Sequence, residues 1–547
     1  MLLQKENSPL NKRTLLLLLV IFGLIFIRYC YYGFEYFYQL DDYIQYHNYD
    51  ARLSNPFAQI MSMGMLAARP LAGCADLLVW THFFPVMILG VLLISAMYAA
   101  SAVLLQRVWS RHFGTGHLFL AVYSLLPLGF EGTYWMSAAT RIVTGLFFAA
   151  AALYMFEQWC EKGKKRALVF FGLLQLISYG FYEQVLVFSA TSILLSAFYH
   201  DRTQRRRSAW ALLSFGNAAA YLLFVHSFPN SPLYKNRMKL LLPTNADYWS
   251  MHFPSVLDQV KKAFFEGGYY TLAKGFKRGA ALLFSDVNVL YIVGVLALSA
   301  ALFFLTKHSP PQKKRSAVGF VAGLILALAP VLPFFFFENS WFSLRGTVTS
   351  FCGIALMADA LFVMVISKAK DGRLITACTA AVLAIIFCTA SISELYDYRQ
   401  TTANDRNVEA LLADALREDG NLDKNLNVGI LNLKPTYLTD QNYNYHEHIQ
   451  GVTSSYWALY GVLECYNGSN IPNVFPLPEG TMYYPWDCDR MRLGNFDVLY
   501  LYDGNNRITN INAVPQGNEE YILYLEDGTP AGYTWECGRH GYLQLYF

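Results

Sequence analysis

The side chains best able to do chemistry stand at the ends of apolar runs. Asp41 and Asp42 are adjacent in Tyr38-Gln-Leu-Asp-Asp-Tyr43. Neighbouring carboxylates can divide roles, because their repulsion raises one pKa: one then serves as base or cation ligand while the other anchors. A solvated loop pair is the plainer use of the same dipeptide. Arg69-Pro70 lies among apolar residues in Met65-Leu-Ala-Ala-Arg-Pro-Leu, where a guanidinium can pair with an Asp or a phosphate oxygen, or snorkel to lipid head groups.

Glu131 and Arg141 bracket Gly132-Thr-Tyr-Trp-Met-Ser137, whose Tyr/Trp pair suits an interfacial belt or a sugar-stacking surface. Glu183, in Tyr179-Gly-Phe-Tyr-Glu-Gln184, has no counter-charge nearby in sequence. A carboxylate in such an apolar stretch faces the protein interior and has a partner, in an ion pair or a substrate contact. Glu338 and Arg345 share Phe337-Glu-Asn-Ser-Trp-Phe-Ser-Leu-Arg-Gly346, and Arg345 opens a late apolar run. Its planar fork there is placed to receive a lipid phosphate arriving from a bilayer. Lys261, Lys262, Lys274, Lys277 and Arg278 alternate with Phe264, Phe265, Tyr269, Tyr270 and Phe276. That mixture suits an amphipathic helix on an anionic surface, or a docking path for a charged lipid.

Several chemistries lack their motifs. The chain has no GxxxxGK[ST] phosphate loop and no GxSxG elbow, so ATP-driven transport and α/β-hydrolase chemistry are unsupported. It also shows no CxxC, no HExxH and no His/Cys cluster, which leaves zinc chemistry without support. Cys465, Cys488 and Cys537 could supply one disulfide and one leftover thiol.

The elements that must position these residues follow from composition. Of 547 residues, 55% are hydrophobic and 15% are charged, with mean hydropathy +0.28. Soluble proteins carry about 25% charged residues, so the chain reads as a membrane protein. Apolar runs fall at 14–31, 86–105, 116–130, 137–156, 167–179, 184–199, 209–226, 287–305, 317–337, 347–366 and 374–392, about eleven candidate spans. Alternate connections hold Arg107/Arg111, Lys162/Lys164/Lys165/Arg166, Arg202/Arg205/Arg206/Arg207, Lys307/Lys313/Lys314/Arg315 and Lys368/Lys370/Arg373. The positive-inside rule makes that set cytoplasmic, with the N-terminus inside and the C-terminus outside. The net charge of +3 therefore encodes orientation and gives no sign of a nucleic-acid partner.

The expected architecture is a polytopic α-helical membrane protein. Residues 1–393 form the membrane domain, with long outer loops at 35–85 and 227–286, and residues 394–547 form an extracytoplasmic α/β or α+β domain. A helix near 404–418 and strands near 427–433, 497–502 and 521–525 are expected in the latter.

This combination resembles the C-type glycosyltransferase (GT-C) superfamily of polytopic membrane transferases. The resemblance rests on a cytoplasmic N-terminus, the first-loop acids Asp41-Asp42, Arg69-Pro70, the outer pair Tyr182-Glu183, Arg345 before a late span, and an outside C-terminal domain. It covers nearly the whole chain on short motifs, without the sequon-reading motif of oligosaccharyltransferases. It implies a donor of the polyprenyl-phosphate sugar class and a glycan or lipid acceptor. Asp41 or Asp42 would be the base, with Arg345, alone or with Arg69, as phosphate ligand; Glu131 and Glu183 join Arg69 and Arg345 as substrate-binding candidates. Lys274, Lys277 and Arg278 are candidates for contact with the donor phosphate or lipid. The sequence leaves open whether Mg²⁺ or Mn²⁺ takes part, because two adjacent Asp are too few ligands to decide. A polysaccharide polymerase or ligase would use the same lipid chemistry, and a transporter or flippase is the non-transferase alternative. A cavity joining the first outer loop to Glu183 and Arg345 is the observation that would bear most on these roles.

Overall fold

A computed structural model describes residues 12–48, 60–61, 65–67, 69–200, 204–228, 239–309, 316–367, 369–433, 446, 448–477, 492–517, 520–537 and 540–545. The chain divides into two compact units: Met1–Tyr36 with Ser54–Leu395, and Phe37–Leu53 with Tyr396–Phe547. The acidic segment around Asp41 thus belongs with the C-terminal part, where sequence alone grouped it with the membrane domain. Of the basic connections, Arg202, Lys313, Lys314, Arg315 and Lys368 lie outside the described residues, as does Cys488.

The first unit is helical. Each of the eleven apolar runs carries helix. Among the described residues, seven helices are long and apolar enough to cross a membrane: Trp80–Phe113, Met136–Lys162, Arg205–His226, Val289–Lys307, Ser316–Phe335, Leu344–Ile366 and Gly372–Glu418. The others are shorter: Lys12–Ile27 has 16 residues, Lys165–Tyr179 has 15 and Glu183–Tyr199 has 17. The run at 116–130 is broken where Leu118–Leu125 ends ahead of Pro127, because proline lacks the N–H that an uninterrupted helix needs. The basic-aromatic loop is also helical, with α-helix at Phe253–Lys261 and Gly275–Ser285 joined through π-helical turns at Lys262–Glu266 and Tyr269–Lys274. Gly275 and Gly279 put a bare backbone against the Gly372–Glu418 helix. A Cβ at Gly279 would sit 2.0 Å from the Thr389 carbonyl oxygen, and such close approach is what small residues permit between helices.

The second unit holds a seven-stranded sheet in the order β2-β1-β3-β4-β5-β6-β7. Strands β1 (Asn427–Leu431), β2 (Asn473–Leu477) and β3 (Val498–Tyr502) are parallel. From β3 the sheet continues as an antiparallel meander through β4 (Ile508–Gly517), β5 (Glu520–Leu525), β6 (Pro530–Cys537) and β7 (His540–Leu545). The parallel β1–β2 pair needs a crossover, which contains the Tyr456–Asn467 helix. Leu431, Phe475, Leu477, Leu499, Leu501, Ile511 and Leu523 form the core; each such side chain gains roughly 1.5–3 kcal/mol on leaving water. The expected strands at 427–433, 497–502 and 521–525 correspond to β1, β3 and β5. The expected helix at 404–418 is the last part of the Gly372–Glu418 helix, with no break after the apolar run.

The Asp41 segment packs within this second unit. Tyr43–Asn48 forms a π-helical turn against the Tyr456–Asn467 helix. Gly461 allows the approach: a Cβ there would lie 3.1–3.3 Å from Ile44 and Tyr43 atoms.

Candidate functional site

Three of the residues singled out above line one cavity of about 210 Å³ in the first unit: Arg69, Glu183 and Arg345. Each comes from a different stretch of chain. Arg69 directly precedes the Pro70–Leu78 helix, whose opening proline suits a helix start. The Leu71 and Ala72 amides donate to the Gly180 carbonyl, at 3.0 and 3.2 Å, and tie that start to the turn before Glu183. Glu183 occupies the first turn of the Glu183–Tyr199 helix, where the helix dipole favours a carboxylate. Arg345 lies in the 3-10 turn Leu344–Ser350. The loop preceding it is fastened to the basic-aromatic segment, since the Phe342 amide donates to Gln259 Oε1 at 2.7 Å and Gln259 Nε2 donates to the Ser340 carbonyl at 3.3 Å.

Arg69 Nε donates to both Glu183 oxygens at 2.9 Å. Its guanidinium lies 4.5 Å from the Tyr182 ring centroid. The pair is only partly shielded, with side chains 24% and 31% exposed. Arg345 stacks its guanidinium 5.2 Å from the Trp135 ring centroid. Two guanidinium groups against one carboxylate leave the cavity lining with one net positive charge. Phe334, Phe337 and Trp341 supply an apolar wall. An anion carrying an apolar or ring-shaped group fits that combination.

Glu131 is buried in the short Phe130–Tyr134 helix and is not part of the cavity wall. Its neighbour Gly132 abuts the backbone of Arg345, whose carbonyl would lie 2.8 Å from a Cβ at that position. Arg141 pairs with buried Asp76 at 2.7 Å. Lys274, Lys277 and Arg278 follow one another along the basic-aromatic helix. Lys274 Nζ lies 4.4 Å from the Tyr270 ring centroid, Lys277 is exposed, and Arg278 Nη1 donates to Ser393 Oγ at 3.4 Å. Phe265, Tyr269 and Phe284 on the same stretch are exposed. None of the three basic residues lines the cavity.

In the second unit the two acids differ. Asp42 is buried, and its Oδ2 accepts the Gln39 amide at 3.0 Å while its own amide donates to the Gln39 carbonyl at 2.8 Å, closing a turn. Asp41 is partly exposed, and its Oδ1 accepts the Trp457 indole N–H at 2.8 Å.

Sequence reasoning passed over two charged features of the first unit. Arg28 lies inside the run read as the first span, yet it is fully buried. It donates to Thr133 Oγ1 at 2.9 Å and to Tyr29 Oη, while Nε and Nη1 have no hydrogen-bond partner. A charge within an apolar run was the available signal. The other is a convergence of His112, Glu157 and His200, whose ligand atoms lie within 4.8 Å of one another. The sequence shows no His/Cys cluster, and this convergence of candidate ligands is assembled only by the fold. The three come from separate helices, so no local spacing announces them.

No protein-family model matches the chain, and none of the curated proteins matches its sequence.

Proposed function

We propose that the chain is a membrane glycosyltransferase that moves a sugar from a polyprenyl-phosphate donor to an extracytoplasmic glycan or lipid acceptor. The observation that carries this reading is the cavity that gathers Arg69, Glu183 and Arg345 beside an aromatic wall. A volume of about 210 Å³ is below the roughly 300–1,000 Å³ of ordinary ligand pockets. It suits the polar head of a lipid donor, with the hydrocarbon left in the bilayer. Arg345 holds the phosphate, and Arg69, oriented by Glu183, presents a second positive edge. The exposed aromatics and Lys277 of the 253–285 segment offer an approach surface for the lipid.

The chemistry is a single displacement. An acceptor hydroxyl gives its proton to a carboxylate and forms a bond to the anomeric carbon. The bond from that carbon to the phosphate oxygen breaks, polyprenyl phosphate leaves, and the anomeric configuration inverts. The family resemblance assigns the base to the acidic pair, and Asp41 is the better candidate because it is partly exposed with one oxygen held by Trp457, whereas Asp42 is buried in its turn. The same reading takes all eleven helical runs as crossings, with a cytoplasmic N-terminus and an extracytoplasmic C-terminal domain. The alternating basic connections support that orientation.

The test is a transfer assay in membranes with a panel of polyprenyl-phosphate sugars, with and without EDTA, comparing Asp41→Ala, Asp42→Ala and Arg345→Ala at equal expression. Turnover by the parent that falls in Asp41→Ala and Arg345→Ala supports the reading. Full activity in all three variants overturns the site assignment, and absence of turnover with every donor returns the transporter alternative to first place.

A further inference from the structure

At the far end of the Glu183–Tyr199 helix from the cavity, three helices bring metal-ligating side chains together. The helix has 17 residues, which separates its ends by roughly 25 Å at about 1.5 Å per residue. This second site is therefore independent of the transferase reading.

His112 lies at the close of the Met87–Phe113 helix, Glu157 in the last turns of Met136–Lys162, and His200 immediately after Tyr199. Their side chains are 8%, 1% and 5% exposed. His112 Nε2 is 2.9 Å from Glu157 Oε1, and His200 Nε2 is 3.2 Å from the same oxygen. Zinc bonds of about 2.0–2.1 Å to nitrogen and oxygen imply ligand-to-ligand edges of roughly 3.4 Å in a tetrahedron. The cluster therefore needs an expansion of only a few tenths of an ångström along those two edges.

The tautomer of His200 points the same way. Its Nδ1 is 2.5 Å from Gln204 Oε1. An amide oxygen can only accept, so Nδ1 carries the proton, and in the neutral ring Nε2 is left as a bare lone pair. That nitrogen is turned toward Glu157 Oε1 at 3.2 Å without an aligned hydrogen bond, so the two atoms are placed to share one ion. A partner on the outer ring nitrogen is the usual way a metal-binding histidine is oriented. Ser196 Oγ donates to Glu157 Oε1 and orients the carboxylate in the same manner.

Cys160 follows Glu157 by three residues on the same helix face, but its sulfur is not among the atoms that converge within 4.8 Å. Three protein ligands with a water or hydroxide in the fourth position make a known zinc arrangement. Two neutral imidazoles, a carboxylate and a hydroxide would balance a divalent ion, as a buried site requires. Imidazole donors select zinc over magnesium or calcium, which take oxygen ligands.

We propose that His112, Glu157 and His200 bind one zinc ion that fastens the ends of three helices. The full-length protein, purified in detergent with a peptide tag free of histidine, should retain close to one zinc per chain by mass spectrometry. In the metal-stripped protein, cobalt should produce the visible bands of a tetrahedral site. Cys160→Ser should leave those bands in place, and Glu157→Gln should weaken zinc affinity at least tenfold. Zinc should raise the thermal midpoint of the parent but not that of a His112→Asn/His200→Asn variant that still elutes as a single species. A monodisperse parent protein that holds no zinc and gives no cobalt spectrum overturns the site, leaving a hydrogen-bonded ion cluster. Cobalt bands unchanged in the folded His112→Asn/His200→Asn variant overturn the ligand set.

Discussion

The charge of the cavity makes Arg345→Gln the most informative substitution. A sugar phosphodiester carries one negative charge, and the lining offers two guanidinium groups against one carboxylate. Removing Arg345 takes that lining from one net positive charge to none. At about 4 Å the gross attraction between unit charges is roughly 4 kcal/mol at an effective dielectric of about 20. Desolvation leaves about 1.5–3 kcal/mol for a hydrogen bond to a charged group, which is roughly a ten- to hundredfold rise in donor KM. Arg345→Lys keeps the charge but gives up the planar fork and its stacking on Trp135, so an intermediate loss is expected.

Glu183→Gln supplies the opposite sign. It raises the net charge of the lining to two and breaks the two-pronged bond to Arg69. At 24% and 31% exposure that pair lies between a surface bridge of about 0.2–1 kcal/mol and a buried one whose disruption costs about 3–5 kcal/mol, so a loss of about 1–2 kcal/mol in stability is expected. Donor capture should hold or tighten while turnover falls, because Arg69 loses its orientation. The measurements are donor KM and kcat in nanodiscs, with polyprenyl phosphate binding followed by native mass spectrometry and the thermal midpoint checked for each variant. A folded Arg345→Gln protein with unchanged donor KM refutes the phosphate assignment. Parallel losses of affinity in Arg345→Gln and Glu183→Gln refute the charge argument, since the two changes move the net charge in opposite directions.

Asp41→Asn should lower turnover at least a hundredfold with an unchanged thermal midpoint, whereas Asp42→Ala, which strips a buried acceptor from the Gln39 amide, should lower unfolding stability by about 1–3 kcal/mol. Gly279→Ala puts a methyl group where the Thr389 carbonyl oxygen is 2.0 Å away, and the forced separation of the two helices should cost about 1–3 kcal/mol, read as a lower thermal midpoint in detergent. Burial pushes the Cys465 thiol up to about 11. Alkylation of Cys465 in the folded protein should therefore stay slow at pH 8 and accelerate as pH approaches that value, since only the thiolate reacts; fast labelling of native protein at pH 8 would contradict it.

What the sequence made legible follows from the cost of charge in an apolar setting. Arg69, Glu183 and Arg345 could each be picked out singly, because a charge at the edge of an apolar run is expensive unless something receives it. Their partnership could not. Arg69 and Glu183 are 114 residues apart, and only the turn at Gly180, fastened to the Leu71 and Ala72 amides, brings them together. Glu131 shows the converse, since a charge flagged by the same logic is buried outside the cavity wall. In the sheet domain, β1, β3 and β5 were visible as apolar strands. β2 and β4 were not, because Pro476 within Asn473–Leu477 and the Asn and Pro residues of Ile508–Gly517 read as turns. Pro476 is tolerated because β2 is an edge strand.

Arg28 and the His112–Glu157–His200 convergence were missed for a common reason. Hydropathy windows average over single polar residues, and the run containing Arg28 stays apolar around it. His112, Glu157 and His200 stand near the ends of such runs, where the neighbouring basic residues Arg111, Lys162 and Arg205 read as orientation signals and the three themselves drew no notice. Yet His112 and His200 are buried against one carboxylate, which snorkelling side chains would not be. Burial at a helix end, rather than charge at a helix end, is what separates a ligand set from a topology signal, and burial is the one property that local sequence does not carry.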